Sequence, residues 1–128
     1  MTDIDFMKYA LKEAQYAYED GEVPIGAVIV ANGRVIAKAH NLTETLTDVT
    51  AHAEMQAITI ASEYLGGKYL KGCTIYVTVE PCPMCAAALA WAQIARMVYG
   101  AKDETRGYSL FSPPLLHAKT EGWAGVVR

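Results

Sequence analysis

The chain has 128 residues, 52% of them hydrophobic and 20% charged, which favours one packed domain over a disordered chain. Eleven basic residues against 14 acidic ones give a formal net charge of −3, so no bulk electrostatic drive toward nucleic acid is expected. No apolar run approaches the roughly 20 residues that a membrane helix needs; the longest, around Ala86 to Ala92, is closed by Gln93.

In chain order, Ile4, Met7, Leu11, Ala14 and Tyr18 recur at spacings of three and four and predict an amphipathic helix from Asp3 to Glu19, with Asp3 as N-cap and Asp20-Gly21 as its stop. "VPIGAVIVANGRVIAKAHN" predicts two β-runs joined at Ala31-Asn32-Gly33-Arg34, the Asn-Gly pair being a hairpin signal. Residues 42–50 read as a polar loop, and a second helix is expected from about Ala51 to Leu65, closed by Gly66-Gly67. "CTIYVTVE", Cys73 to Glu80, has the continuous β-branched and apolar character of a central strand covered on both faces. Pro81 ends it, and a third helix runs from about Pro83 to Gln93 with proline in its first turn. "ARMVYGA" predicts a fourth strand, and a last one is expected near Glu121 to Val127. This order implies an α/β layered domain whose later strands are parallel.

The opening, with Asp3 and Asp5 ahead of Phe6, does not read as a basic-start secretory leader. Three cysteines, two of them packed as Cys82-Pro83-Met84-Cys85, fit the reducing cytoplasm and a metal better than a disulfide framework.

Cys82 and Cys85, three apart at a helix start, present both sulfurs on one side and form a zinc half-site. His52, in the first turn of the preceding helix, supplies a third ligand. In mid-helix His52 and Glu54 would point about 200° apart, but at a helix end both can face an ion lying beyond it. Three ligands leave a fourth place for water, the mark of a catalytic rather than a structural zinc. Two thiolates and a neutral imidazole make the site formally neutral, and the metal then lowers the pKa of its water toward neutrality. Glu54, beside the ligand and not itself one, stands where a proton shuttle belongs. Blander readings exist for each part. A CxxC pair alone suits redox chemistry but leaves His52 and Glu54 unexplained, and a structural zinc lacks its fourth ligand. Cys73 reads as a core filler, and His40 and His117 as loop or surface histidines. The full pattern, His52-Ala53-Glu54 followed after 26 residues by Pro81-Cys82-Pro83-Met84-Cys85, is far more specific than its parts.

That pattern resembles the cytidine deaminase-like superfamily of zinc-dependent nucleobase deaminases, in which this ligand set and a non-ligand glutamate are already known. The likeness is strongest to members acting on the wobble adenosine of a tRNA anticodon loop. It runs from about Phe6 to Leu116, on "GEVPIGAVIV", Asn41, "TAHAEMQAI", "TIYVTVEPCPMCAAALAWAQIARMVYGAKD" and Gly107. It implies a three-layer α/β/α sandwich with a central mixed five-stranded sheet, one Zn2+ per chain on His52, Cys82 and Cys85, and Glu54 as the catalytic proton carrier. It also implies that Asn41 bonds the base, that Val23, Ile25, Ala53 and Val79 line its pocket, that Asp103 lies near a neighbouring nucleotide's backbone, and that the protein is a homodimer. Asn41 reads equally as a loop cap, and Val23, Ile25 and Val79 would be apolar in any such fold. Members usually continue into a C-terminal helix, and "HAKTEGWAGVVR" reaches Arg128 about where it would begin. The chain is thus expected to be a single deaminase domain, 1–128, without that helix. Three functions stay open: deamination of tRNA adenosine, deamination of a free base or nucleoside of the guanine or cytosine type, and a non-catalytic zinc-binding or dimerisation module.

Overall fold

Helix α1 (Asp3–Glu19) is capped by Thr2, not by Asp3. In the computed structural model, which describes residues 1–110 and the backbone of 119–122, the Thr2 hydroxyl accepts from the Asp5 amide while the Asp5 carboxylate accepts from Thr2 N–H at 2.9 Å. This reciprocal pair satisfies two otherwise orphaned donors, so the cap falls one residue earlier than the first aspartate suggests. Strands β1 (Gly26–Ala31) and β2 (Arg34–His40) form the expected hairpin, with Asn32 and Gly33 both at positive φ (51° and 74°). Helix α2 (Ala53–Leu65) ends on left-handed Gly66. Strand β3 (Thr74–Val79), helix α3 (Pro83–Trp91) and strand β4 (Arg96–Ala101) follow. A short strand β5 (Lys119–Gly122) pairs with the outer edge of β4. The last strand thus starts earlier than predicted, and residues 123–127 of that prediction, like His117, lie outside the described residues.

The sheet is mixed, in the order β2-β1-β3-β4-β5. β1 is antiparallel to both β2 and β3, whereas β3-β4 and β4-β5 are parallel. Alternation along the strands sends side chains to two cores. Val28, Val30, Tyr76 and Val98 meet Phe6, Met7 and Ala10 of α1 on one face. Ala27, Ile29, Ile75, Val77 and Met97 meet Ala57 and Ala61 of α2 and Leu89 of α3 on the other. Helices therefore cover both faces. The close approach of α1 depends on Gly26, where a Cβ would be driven into the Ala10 carbonyl oxygen and to 2.5 Å from the Ala14 nitrogen. Far from that point, Asp3 anchors the start of α1 by accepting from Tyr76 OH and Arg96 Nη1, the latter at 2.9 Å.

Because β2 and β3 both run antiparallel to β1, their C-terminal ends share one edge of the sheet. The helices that follow them, α2 and α3, begin at that edge, and ligands of open α/β sheets bind there.

Candidate active site

His52 and Cys82 are the N-cap residues of α2 and α3, both with extended backbones. The two helix starts bring their side chains face to face. His52 Nδ1 lies 3.7 Å from Cys82 Sγ and 3.5 Å from Cys85 Sγ. One ligand atom from each of the three falls within 4.8 Å of the others, the one such group among the described residues. Two helix N-termini point their positive dipole ends at this spot, which favours thiolates. Hydrogen bonding from Cys85 draws the Cys82 thiol down to about 5, and the same contact together with burial pushes Cys85 above the ordinary thiol range. Imidazole and two sulfurs are a donor set suited to zinc.

Glu54 is 3% exposed, and its Oε1 has no hydrogen-bond partner. Burial pushes its carboxyl up to about 7, opposed by its own backbone amide. A buried carboxylate oxygen without a partner costs about 1–3 kcal/mol, so its retention beside the His-Cys-Cys group marks a place for a polar ligand. The donor set and the orphaned oxygen together fit a metal with an exchangeable position.

A cavity of about 300 Å³ opens on this group. Val23, Ile25, Asn41, Ala53 and Asp103 line it together with His52, Glu54 and Cys82. Ile25 is partly buried and Ala53 wholly so, whereas Val23 is 57% exposed and sits at the mouth. Val79 ends β3 and its neighbour Glu80, not Val79 itself, is among the lining residues. Asn41 is buried, donates from Nδ2 to Thr43 Oγ1 at 3.4 Å, and leaves Oδ1 without a partner. Asp103 is occupied locally: its Oδ1 accepts from the amides of Thr105 and Arg106 (3.0 and 2.9 Å), and hydrogen bonding from Arg106 and Thr105 holds the carboxyl below its ordinary range. It shapes a turn at the cavity rim.

Thr43, Glu80 and Arg106 also line the cavity and were not singled out in the sequence. Glu80 and Arg106 carried a signal in hindsight, an acidic residue ending an apolar strand and a cation in the turn after β4. Glu22 was missed as well. It is buried and accepts from the amides of Glu44 (3.0 Å) and Thr45 (2.6 Å), fixing the loop after Asn41. His40 is not a lone surface histidine, since its Nδ1 pairs with Glu13 at 2.9 Å. Cys73 is 1% exposed in the core and stands apart from the other two cysteines. A larger groove of about 650 Å³ lies between α1 and β2, away from the His-Cys-Cys group.

A family model for the cytidine and deoxycytidylate deaminase zinc-binding region matches residues 1–101. The chain belongs to this family. Within it, the chain is 49% identical over 126 residues to the tRNA-specific adenosine deaminase of Agrobacterium fabrum, covering 94% of this chain and 83% of that protein. A solved structure from a study of A-to-I editing by tRNA A34 deaminases superposes with a TM-score of 0.87 at 45% identity, over 93% of this chain and 97% of the other. A guanine deaminase from Bacillus subtilis superposes with a TM-score of 0.78 at 41% identity, over 80% of this chain and 66% of the other. In zinc nucleobase deaminases a His-Cys-Cys or three-cysteine group holds the metal and a glutamate that is not a ligand moves protons. No helix among the described residues is long and apolar enough to cross a membrane.

Proposed function

We propose that this chain is a single-domain, cytoplasmic, zinc-dependent hydrolytic deaminase that converts the wobble adenosine of a tRNA anticodon loop to inosine. The observation that carries the reading is the partnerless Glu54 Oε1, buried beside three ligand atoms in a base-sized cavity. The similarity to tRNA adenosine deaminases over nearly the whole chain supports the choice of base.

His52, Cys82 and Cys85 would hold one Zn2+. The chemistry zinc supplies in such a site is to make water acidic enough to attack at neutral pH. Glu54 Oε1 accepts the water's proton as a C–O bond forms at C6 of the base and passes it to the ring nitrogen, then carries the proton of the new C6 hydroxyl to the departing amine. The hydroxyl becomes the C6 carbonyl as the C–N bond breaks, and ammonia leaves. Asn41 Oδ1 accepts from an N–H of the base, while Ile25 and Ala53 pack against its faces. Arg106 is the one lysine or arginine among the described lining residues, and it faces a flanking phosphate.

Zinc-loaded protein should form inosine in a tRNA with adenosine at position 34, and Glu54→Ala should not. Absence of inosine from loaded wild-type protein defeats the tRNA reading. A second reading, deamination of free guanine or cytosine, is favoured by the similarity to guanine deaminase and by the net charge of −3. Ammonia release from free bases with none from tRNA would reverse the order. The protein is also proposed to be a homodimer. Trp91 at the end of α3 is 84% exposed, and Ile60 and Tyr64 of α2 are exposed as well, apolar side chains that a partner subunit could cover. Light scattering of the purified protein tests this.

A further inference from the structure

The far wall of the cavity is the segment 101–110, which leaves β4 and carries Asp103 and Arg106 to the mouth. Tyr108 of this segment packs against the core, and backbone hydrogen bonds fasten the segment to residues 80 and 81, just ahead of Cys82. Glu80 N–H donates to the Ala101 carbonyl (2.8 Å), and Tyr108 N–H donates to the Pro81 carbonyl (3.0 Å). The Glu80 side chain, 3% exposed, spans the segment: Oε1 accepts from Asp103 N–H (3.2 Å) and Oε2 from Ser109 N–H (3.0 Å). Gly107 makes room for it, because a Cβ there would overlap Glu80 Oε1 and stand 2.5 Å from the Asp103 carbonyl oxygen.

Burying a carboxylate costs several kcal/mol unless its oxygens are bonded, so a glutamate that only filled space would be selected against. Here the group's chemistry matches its task. A carboxylate has acceptors alone and meets two amide donors, whereas an amide in its place would turn an NH2 toward one of them. The opposite wall is built in the same way, with Glu22 accepting from the amides of Glu44 and Thr45.

We propose that Glu80 is a positioning residue that fixes the distance between the Cys82 turn, where the reaction takes place, and the wall bearing Asp103 and Arg106, where the substrate's flanking groups are recognised. Glu80 is two residues from Cys82 in the chain and bonds the wall directly, so one side chain ties the two parts of the cavity together. This rests on the cavity being the deamination site. Releasing the wall weakens substrate binding and leaves the reacting group intact.

The test compares wild type, Glu80→Gln and Gly107→Ala as zinc-loaded proteins. Zinc content, kcat and KM are measured on A34 tRNA and on free guanine, cytosine and adenosine, with amide hydrogen exchange at Asp103 and Ser109. Losing a hydrogen bond to a charged group predicts a KM for Glu80→Gln raised about tenfold with kcat within about threefold. Zinc content stays at the wild-type level, and exchange at Ser109 or Asp103 accelerates. Gly107→Ala shifts KM the same way, and the double variant is no worse than the worse single one, because both act on one contact. Unchanged KM with accelerated exchange would overturn the proposal, since the fastening would then be structural only. So would a fall in kcat accompanied by zinc loss, which would mean that Glu80 acts on the ligand turn. Turnover by wild type of a free base and not of tRNA defeats the tRNA reading alone, and the Glu80 comparison is then read on that base.

Discussion

His52 and Cys85 stand 33 residues apart in the chain, yet His52 Nδ1 and Cys85 Sγ are 3.5 Å apart. Two helix starts have been brought nose to nose at one edge of the sheet. A metal site follows only if both contribute. Cys85→Ser should lower zinc affinity at least about 100-fold, whereas Cys73→Ser, whose sulfur lies in the core, should leave zinc at wild-type content. Metal analysis of the purified variants decides this, and equal zinc in both would rule out the three-ligand site.

Glu54→Gln keeps the shape and removes the charge. Deamination should fall by about 100-fold or more, the usual contribution of a positioned acid–base group. Stability should move the other way in chelator-stripped protein. The Glu54 carboxyl stands at about 7 in the fold against 4.5 ordinarily, so its contribution to stability is full below pH 4.5 and is lost as pH rises through 7. The stripped variant should gain on wild type between pH 4.5 and 7, by on the order of 3 kcal/mol, and hold that lead above. Urea melts at pH 4.5, 6 and 8 check the trend. A difference independent of pH would contradict the burial argument.

Arg106→Ala should raise KM for tRNA and leave KM for a free base nearly unchanged. If Arg106 meets one phosphate, the slope of log affinity against log salt should shrink by about 0.7, the value for one contact with a single strand. Titrations from low to moderate salt measure it; identical slopes in variant and wild type would remove Arg106 from the substrate's path.

Gly26→Ala tests the seat of α1. The added methyl would strike the Ala10 carbonyl and the Ala14 amide, backbone atoms that cannot swing aside. A loss of about 2–3 kcal/mol is expected, roughly 10 °C in Tm for a chain of this size. Calorimetry showing no change would mean that α1 can lift off β1 without penalty.

Asp3→Asn tests the other end of that helix. Hydrogen bonding from Arg96 holds the Asp3 carboxyl at about 2. Its stabilisation is therefore present above an ordinary value of 3.8 and disappears as pH falls through 2. The Asp3 side chain is 35% exposed, so solvent screening limits the loss at neutral pH to about 1 kcal/mol. The two proteins should converge between pH 4 and 2 in acid titrations followed by circular dichroism.

The sequence alone determined most of the elements and which side chains are candidates for the chemistry. Apolar spacing in 3–19 and 53–65, the Asn32-Gly33 turn and the unbroken β-branched run at 74–79 are local properties, set by backbone sterics and side-chain periodicity within a few residues. The His-Ala-Glu and Pro-Cys-Pro-Met-Cys segments are likewise local, and their chemistry is written in their side chains. Tertiary structure decided what surrounds them. The roles of Glu22 and Glu80 emerge only once the fold buries them against loop amides 22 to 29 residues away. Asp103 turned out to bond its own turn, and His40 found Glu13 across 27 residues. Burial and long-range hydrogen bonds depend on which segments the sheet order sets side by side, and no local pattern in the chain carries that information.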